Sequence, residues 1–344
     1  PKADEIDMLL SSGERVTSAL LSIALNEMGY KATSMSGRQA GIMTDNAHTK
    51  ARIESIDTTE MKKAIKDGNI IIVAGFQGVA QDTLRVSTLG RGGSDLTAVA
   101  IAGAIEADVC EIYTDVDGIY TTDPRIEPKA KKLDKISYDE MLELASLGAK
   151  VLQNRSVEMA KKLNVNLVSR SSFTPEVEGT LITKEENIME KPVVSGIALD
   201  KNQIRVGMYG VIDRPGIASA IFTALADANI NVDMIVQTRG LDGTTDLDFT
   251  IPTTDFEICK KVMEQFKVEA KNIDYNESIC KVSVVGVGMK SHTGVASKAF
   301  TAMANENINI RIISTSEIKI SMIVDLKYGE LAVRALHEAY ALDK

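Results

Sequence analysis

The chain has 344 residues, 44% of them hydrophobic and 25% charged, with a formal net charge of −9, and this length predicts two or three domains. No apolar run approaches the roughly 20 residues needed to cross a bilayer, and no basic stripe with interleaved aromatics is present, so neither a membrane nor nucleic acid is expected as a partner. Cys110, Cys259 and Cys280 lie far apart without metal-ligand spacing, which favours free thiols in a reducing cytoplasm.

Helices and strands alternate in the predicted first half of the chain. Ile6–Met28 carries apolar residues at helical spacing and predicts an amphipathic helix that stops at Gly29, although Gly13 lies inside it. Ile70–Ala74 is a short apolar run that suits a buried parallel strand. The later predicted elements are helices at Ser94–Ala107, Ser137–Leu147 and Ser156–Leu163 and strands at Val109–Thr114, Val165–Ser169 and Thr180–Thr183. This alternation predicts an α/β layer sandwich with a mainly parallel sheet.

The second half contains an internal repeat. Gly216–Ile235 and Gly294–Ile313 are about half identical at a spacing of 78 residues, and their apolar positions coincide almost throughout. Each copy predicts a βαββαβ module, but the second copy ends without its last strand. Val193–Leu199, a strand candidate without an assigned partner, is predicted to fill that vacancy. The predicted domains are 1–190, 191–278 and 279–344.

The most specific local motif is Leu89–Asp95 (LGRGGSD), which leads directly into a predicted helix. Glycines let the backbone approach a ligand closely, and the N–H groups at a helix N-terminus bind anions. Arg91 adds a planar guanidinium that suits a carboxylate or a phosphate. The motif is neither a Walker A loop nor a dinucleotide fingerprint. The alternative interpretation is a tight turn with Ser94 or Asp95 as the helix cap.

A second motif, Thr114–Arg125 (TDVDGIYTTDPR), follows a predicted buried strand. Ligands of open α/β sheets bind beyond the carboxyl ends of the strands, so this loop is well placed for a site. Its acidic residues and Arg125 suit a nucleotide with its Mg²⁺, whereas an EF-hand is excluded because the acids are out of register. The alternative is a polar surface loop with Asx turns.

Other polar residues carry little information individually. Glu14 follows Ser11-Ser12-Gly13, and a glutamate on an amphipathic helix is usually solvated. Lys150 lies beside a predicted helix C-terminus, where complementing the helix dipole is the ordinary role of a lysine.

Taken together, the motifs resemble those of the aspartokinases, in the amino-acid kinase superfamily, over essentially the whole chain. The motifs that carry the resemblance are SSGE (Ser11–Glu14), VAGFQG (Val73–Gly78), TLGRGGSD (Thr88–Asp95), YTDVDGIYTTDPR (Tyr113–Arg125), GAKVL (Gly148–Leu152), DRPG (Asp213–Gly216) and STSEI (Ser314–Ile318). The resemblance implies an amino-acid-kinase-like αβα sandwich followed by two ACT modules. It also implies a cytoplasmic, monofunctional bacterial enzyme of lysine and threonine biosynthesis, which uses ATP and Mg²⁺ to phosphorylate the β-carboxylate of L-aspartate to 4-phospho-L-aspartate.

The resemblance assigns residues to the substrate and nucleotide sites. Arg91 is implied to hold the α-carboxylate of aspartate and Glu14 its α-ammonium group. The residues implied to complete that pocket are Gly92, Gly93, Ser94 and Asp95. The residues implied to line the nucleotide site are Thr114, Asp115, Tyr120, Thr121, Thr122, Asp123, Pro124, Arg125, Lys150 and Val151. No protein ligand for a metal is assigned.

The ACT modules imply feedback by lysine, threonine or both, with the amino acid bound between paired modules, and a homodimer or higher oligomer formed through them. The matching effector positions are Asp213, Ala218, Asn231, Val232, Asp233 and Gln237 in the first copy, and Ala296, Asn309, Ile310 and Ser316 in the second. The alternative is that the apolar members are ordinary core residues, and that Asn231 and Asn309 are turn residues at the helix exits.

One departure from the family concerns the start of the chain. The family begins with a strand and a Lys-Phe-Gly-Gly loop that grips phosphates, so about 60 residues are expected before Pro1, and the chain as numbered is expected to be inactive alone. The principal alternative function is an amino-acid-binding regulatory protein with an inactive kinase half. A glutamate or carbamate kinase would share the glycine turn but not the ACT modules, and an aromatic amino-acid enzyme with an ACT regulator lacks support in the first half.

Overall fold

The computed structural model describes residues 1–146, 151–188, 192–240 and 243–344. Contacts between residues divide the chain into two compact units. The first contains Pro1–Ile119, Lys132–Ser146 and the described part of 150–190, and the second contains Tyr120–Lys131 and the described part of 191–344. The segment Tyr120–Lys131 therefore belongs with the second unit, although it lies in the first half of the sequence.

The first unit alternates helices and strands, as the sequence predicts. Its helices are α1 (Ala3–Glu27), α2 (Thr59–Lys66), α3 (Gly93–Ile105), α4 (Tyr138–Ser146) and α5 (Asn154–Leu163). Its strands are β1 (Ala32–Met35), β2 (Ile42–Thr44), β3 (Ile53–Ile56), β4 (Ile70–Val73), β5 (Gln77–Ala80), β6 (Val86–Thr88), β7 (Cys110–Thr114), β8 (Lys135–Ser137), β9 (Leu167–Ser171) and β10 (Thr180–Thr183).

The strands of the first unit divide among three sheets in the part of the chain that the structure describes. Their orders are β1-β4, β3-β2-β5-β6 and β7-β9-β10-β8. Parallel pairs occur in each sheet: β1 with β4, β2 with β5, β7 with β9, and β8 with β10. The predicted α/β fold is confirmed. The strand predicted at Ile70–Ala74 is β4, and it is only half-buried, with 42% of Ile70 exposed.

The first helix buries a polar stripe. Asp7, Ser11, Ser18 and Ser22 are its buried residues, and their spacing of four or seven residues places them on one face. The apolar residues whose spacing predicts this helix are mostly on the outside, with Leu9 74% exposed. The helix is thus correctly located by its periodicity, but the face that packs against the first unit is the polar one.

The second unit contains the repeat. Its helices are α6 (Ile217–Asp227), α7 (Phe256–Met263), α8 (Val295–Asn305) and α9 (Gly329–Ala339). Its strands are β11 (Gly196–Asp200), β12 (Ile204–Ile212), β13 (Ile235–Arg239), β14 (Thr244–Ile251), β15 (Asn272–Asn276), β16 (Ile279–Val285), β17 (Ile312–Thr315) and β18 (Lys319–Asp325).

Each copy of the repeat forms one four-stranded antiparallel sheet. The first module has the order β13-β14-β12-β15, and the second has β17-β18-β16-β11. Strand β11 occupies in the second sheet the place that β15 occupies in the first, with Gly196 opposite Val285 and Asp200 opposite Lys281. This strand begins three residues later than the predicted Val193–Leu199.

The two modules are joined by an apolar cluster and an ion pair. Met234, from the segment before β13, is buried against Ile279, Ile312 and Ile323 of the second sheet. Beside it, the Nζ of Lys281 donates to a carboxylate oxygen of Asp233, and Lys281 is 3% exposed. A buried ammonium group requires such a partner, so this pair fixes the two modules against each other.

The three cysteines are free thiols, as their spacing in the sequence predicts. Cys110, Cys259 and Cys280 are all described, all buried and all free. Burial raises the pKa of the Cys110 and Cys259 thiols to about 11, and that of Cys280 to about 12, which keeps them protonated and unreactive.

Within the described ranges, no helix combines the length and the apolar character needed to cross a membrane.

The position of β11 gives a stability prediction. Ile197 is 2% exposed and belongs to the core of the second module. Ile197→Ala should lower the free energy of unfolding by about 2–5 kcal/mol, because it leaves a cavity in that core. Ile258→Ala, on α7 at a position that is 49% exposed, is the matched control and should change it by less than about 1 kcal/mol. If denaturant unfolding showed the same loss of free energy of unfolding for Ile197→Ala and Ile258→Ala, β11 would not be part of the core.

Candidate active site and effector positions

The glycine turn leads into α3 through a backbone that only glycine fits. Gly92 is the residue before the helix and has φ of +74°, in the left-handed region. A Cβ at Gly93 would lie 2.8 Å from the Cβ of Leu89 and 3.0 Å from the ring of Phe76. These two glycines hold the exposed Arg91 directly in front of the first turn of α3, whose N–H groups lack intrahelical acceptors.

A neighbouring loop after β4 braces this turn. The backbone N–H of Phe76 donates to Thr97 Oγ1 at 3.0 Å, and Thr97 Oγ1 donates to the carbonyl of Gly93 at 2.8 Å. The N–H of Leu89 donates to the carbonyl of Phe76 at 3.0 Å. Phe76 itself has φ of +67°, which costs an aromatic residue about 1–3 kcal/mol and is concentrated at functional sites in proteins.

Gln153 supports the turn from the other side. Its side-chain Nε2 donates to the carbonyl of Arg91 at 2.7 Å, while its Oε1 is buried without a hydrogen-bond partner among the described residues. Burial raises the pKa of the Asp95 carboxyl, and the backbone N–H of Gln153, which donates to that carboxylate, opposes the rise. Asp95 is therefore held beneath the turn, whereas Arg91 and Ser94 face outward.

The second motif is divided between the two units. Thr114 ends β7 in the first unit, where its Oγ1 donates to the carboxylate of the exposed Asp115 at 3.1 Å. Tyr120–Arg125 belongs to the second unit. There Thr121 and Thr122 are buried, and Tyr120 is half-buried. Pro124 is exposed, and the exposed guanidinium of Arg125 donates to the carboxylate of Asp123 at 2.7 Å.

The remaining candidates of the first half lie in different settings. Glu14 is exposed on α1, three residues beyond the buried Ser11. Val151 is half-buried, just before Gln153. Lys150 lies outside the described residues, and so does most of the GAKVL motif.

A cavity of about 640 Å³ opens in the second module. Two predicted effector positions, Ala296 at the start of α8 and Ser316 after β17, line it. Lys290 and Glu317 also line it, with 3.9 Å between their Nζ and Oε2 atoms. The cavity therefore offers both signs of charge beside a helix N-terminus, which matches the two charged ends of a free amino acid.

The other predicted positions of the second module lie away from the cavity lining. Asn309 is exposed, and Ile310 packs against the module core. In the first module Val232 likewise packs on the core, which is the ordinary structural interpretation of these apolar positions.

Four polar positions of the first module are exposed, while Ala218 is half-buried on α6. The exposed positions are Asp213, Asn231, Asp233 and Gln237. The carboxylate of Asp233 is engaged by Lys281, and Gln237 lies on the edge strand β13.

The residues that turn the chain at the helix exits are Asn229 and Asn307, with φ of 57° and 54°. The alternative that gave this role to Asn231 and Asn309 is wrong by two residues in each copy. The left-handed residue directly follows the last helical turn, a position where glycine is the most common residue and asparagine also occurs.

Comparison with known proteins identifies the family. The amino acid kinase family matches residues 2–168, and the ACT domain matches 205–270 and again 282–340. An aspartokinase of Helicobacter pylori is 60% identical over 348 residues, covering 100% of this chain and 85% of that protein. This chain belongs to the aspartokinase family.

Solved aspartokinases have the same fold. E. coli aspartokinase III in its R-state complex with aspartate and ADP superposes with a TM-score of 0.82 at 28% identity, covering 98% of this chain and 76% of that one. Its T-state complex with lysine and aspartate gives a TM-score of 0.79, with the same identity and coverage. The prediction of an aspartate kinase with regulatory ACT modules is confirmed. The alternatives of another amino-acid kinase, an aromatic amino-acid enzyme or an amino-acid-binding regulatory protein with an inactive or incomplete kinase half are not supported.

Several residues of this aspartokinase-family site escape sequence reasoning. Gln153 and Phe76 touch the glycine turn but lie 62 and 15 residues from Arg91, while Thr97 lies six residues from Arg91 in no distinctive pattern. Phe76 does occur in VAGFQG, where the flanking glycines Gly75 and Gly78 are the available signal. The contacts themselves arise only from tertiary packing.

Gly93→Ala tests the close packing of the turn. The new methyl group should lower the free energy of unfolding by about 1–3 kcal/mol and should reduce kcat/KM for aspartate, because Leu89 and Phe76 must move. Gly13→Ala is the control within α1, where a Cβ meets nothing within 4 Å. It should raise the free energy of unfolding by about 1 kcal/mol through helix propensity. Destabilisation of the two variants by equal amounts would contradict the packing argument.

Proposed function

We propose that the turn of Gly90–Gly93 is the aspartate-binding element of an ATP-dependent aspartate kinase, which transfers the γ-phosphoryl group of ATP to the β-carboxylate and yields 4-phospho-L-aspartate and ADP. The observation that carries this proposal is the exposed Arg91, on a backbone fixed from three sides, in front of a helix N-terminus. Phosphoryl transfer depends mainly on positioning and on neutralising charge. A rigid frame that carries an exposed guanidinium meets that requirement.

Within this site, Arg91 binds the α-carboxylate of aspartate through two parallel N–H donors. Glu14 takes the α-ammonium group, which leaves the β-carboxylate free to attack the γ-phosphorus. Gly92 and Gly93 give the substrate access to the backbone, and Ser94 and Asp95 complete the pocket. The buried Oε1 of Gln153 is a further acceptor beside the turn.

The nucleotide site is proposed from Thr114, Asp115 and the segment Tyr120–Arg125, together with Lys150 and Val151. Asp115 and Arg125 are exposed, so they are accessible to a ligand. In the described residues no group of three or more histidine, cysteine or acidic side chains could hold a metal ion. Mg²⁺ would be held mainly by the phosphates of the nucleotide, since this ion usually takes only one or two protein carboxylates, and it would neutralise phosphate charge.

Regulation is proposed at the cavity of the second module, with lysine or threonine as the ligand. Its 640 Å³ exceed the volume of either amino acid, and Lys290 and Glu317 complement the carboxylate and ammonium groups. The corresponding first-module positions Asp213, Ala218, Asn231 and Gln237 form the second effector element.

The three proposed domains are the kinase, residues 1–190, and the two ACT modules, residues 191–278 and 279–344.

The chain is further proposed to form a homo-oligomer through its ACT modules, in the cytoplasm. Ile235 on β13 and Ile313 on β17 occupy matched positions of the repeat, both on edge strands, and they are 51% and 45% exposed. Exposed apolar residues on an unpaired edge favour pairing with another sheet. Three buried free thiols suit a reducing compartment.

Arg91→Ala is the direct test of the substrate site. In the full-length enzyme it should raise KM for aspartate about 100-fold or more and leave KM for ATP within about twofold, because the lost contacts are to the amino acid alone. Arg91→Lys, which keeps the charge but loses the planar fork, should have an intermediate effect. Unchanged aspartate kinetics in Arg91→Ala would refute the assignment.

The effector cavity is tested by thermal shift. At 100 times its Kd, lysine or threonine should stabilise the protein by about 2.7 kcal/mol, since it binds only the folded state. Ala296→Leu, which fills the cavity, should weaken binding about tenfold or more. Ala304→Leu, on the exposed face of the same helix, should retain the shift. A shift that survives in Ala296→Leu would place the effector elsewhere.

A further inference from the structure

The polar stripe of α1 centres on a carboxylate that is completely buried. Asp7 is 0% exposed, and each of its oxygens is within 3.1 Å of the backbone N–H of Thr49. The hydroxyl of Thr88 donates to Oδ1 at 2.5 Å, and His48 Nδ1 lies 2.7 Å from Oδ2. With Asp7 accepting at both oxygens, the His48 tautomer that carries its proton on Nδ1 completes this set of hydrogen bonds. Asp7 therefore joins α1 to the loop 48–49 and to the end of β6.

This network leads directly to the glycine turn. Thr88 is the last residue of β6, and Leu89, Gly90 and Arg91 follow it. The N–H of Ala51 donates to the carbonyl of Thr88 at 2.9 Å, and the carbonyl oxygen of Thr49 would be 3.1 Å from a Cβ at Gly90. The backbone that carries Arg91 thus rests on the same loop that donates to Asp7.

Two further side chains, Arg155 and Gln77, donate hydrogen bonds to these elements. Arg155 on α5 donates to the carbonyl of Leu89 at 2.8 Å and to that of Ala51 at 2.9 Å, which clamps the turn to the loop. On α1, the carbonyl of Ser11 accepts from the buried side chain of Gln77 at 3.1 Å. Asp7 and Ser11 lie seven and three residues before Glu14 on one helical face.

We propose that Asp7 is a positioning residue for the amino-acid substrate. It fixes the separation between Glu14, on α1, and Arg91, on the turn, and so matches the two groups to the fixed spacing of an α-ammonium and an α-carboxylate. This inference rests on the proposed roles of Arg91 and Glu14. A misplacement of about 1 Å in such a clamp costs up to about 100-fold in catalysis.

The chemistry makes Asp7 specific for this task. Asparagine has nearly the same shape, but it carries no charge and its amide nitrogen donates instead of accepting, so the network keeps one acceptor oxygen in place of two. Thr88→Val removes the hydroxyl that ties β6 to the carboxylate and keeps the branched shape. In both variants α1 and the turn are no longer held in one register, while no proposed nucleotide-lining residue is altered.

The test compares substrate constants in the full-length enzyme. Asp7→Asn and Thr88→Val should each raise KM for aspartate about tenfold or more, with KM for ATP within about twofold of the parent. Thr88→Ser should restore most of the affinity that Thr88→Val loses. Ser18→Ala is the control on the same buried stripe, because the Ser18 hydroxyl donates within α1, to the carbonyl of Arg15 at 3.1 Å, and should leave both constants unchanged.

Thermal melting and Arg91→Ala are measured in parallel. If Asp7→Asn fails to fold, the Thr88 pair decides the question. An aspartate KM that stays at the parent value, or aspartate and ATP constants that rise together, would overturn the positioning role. If Arg91→Ala raises the aspartate KM while Asp7→Asn and Thr88→Val do not, only this inference fails. If Arg91→Ala also has no effect, the proposed aspartate site itself fails.

Discussion

The buried carboxylate of Asp7 is the interaction on which the first unit depends. A charge removed from water is tolerated only if hydrogen bonds replace its hydration, and breaking one partner of such a group costs about 3–5 kcal/mol. That amount is a large part of the 5–15 kcal/mol by which a typical domain is stable. Loss of a partner from the network of Asp7, His48, Thr49 and Thr88 is therefore expected to remove a large share of the stability of the first unit. Its formation commits α1 to present its polar stripe and leaves apolar residues such as Leu9 outside.

The second unit solves a different problem, which is the completion of a duplicated module. The first copy supplies all four of its strands, whereas the second takes β11 from the segment that precedes the first copy. In sequence order, β11 of the second module therefore comes before all four strands of the first module. Lys281, on the strand beside β11, meets Asp233 of the first module at this junction. The ion pair between the buried Lys281 and Asp233 and the apolar cluster around Met234 join the two modules into one unit.

Periodicity and repetition predict much of this fold, and their failures have physical causes. Long elements such as α1, α3 and β12, and both copies of the repeat, follow from spacing alone. Strands of three or four residues, such as β2, β6 and β8, are too short to show a period, and α2 has little apolar content. The buried face of α1 was unpredictable because its polar partners come from residues 41 to 81 positions away.

The candidate site shows the same division. The residues that contact ligands in the proposal belong to compact motifs, since glycines and an arginine must be adjacent in sequence to build a turn. The residues that hold the motif in place do not belong to compact motifs, because any donor of suitable length can reach a backbone carbonyl from another element. Gln153 and Arg155 both reach the turn from the start of α5. Sequence reasoning therefore finds the turn and misses its supports.

The placement of Tyr120–Lys131 in the second unit bears on how regulation reaches the nucleotide. Thr121 Oγ1 lies 3.0 Å from Nε2 of the buried His337 on α9, and the N–H of Ile197 donates to the Thr121 carbonyl at 2.7 Å. Burial lowers the pKa of His337, so its imidazole is neutral and suited to a hydroxyl partner. Just beyond the end of α9, the hydroxyl of Tyr340 donates at 2.7 Å to the carbonyl of Val295, which lines the proposed effector cavity.

These contacts form a continuous path from the cavity through α9 to the segment that carries the predicted nucleotide residues. An effector shifts a conformational equilibrium only to the extent that it binds the two states differently. Helix α9 borders both the cavity and the segment, through Tyr340 just beyond its end and His337 one turn before it. In the proposed regulation, an effector bound in the cavity would therefore act on the segment through α9, within the second unit.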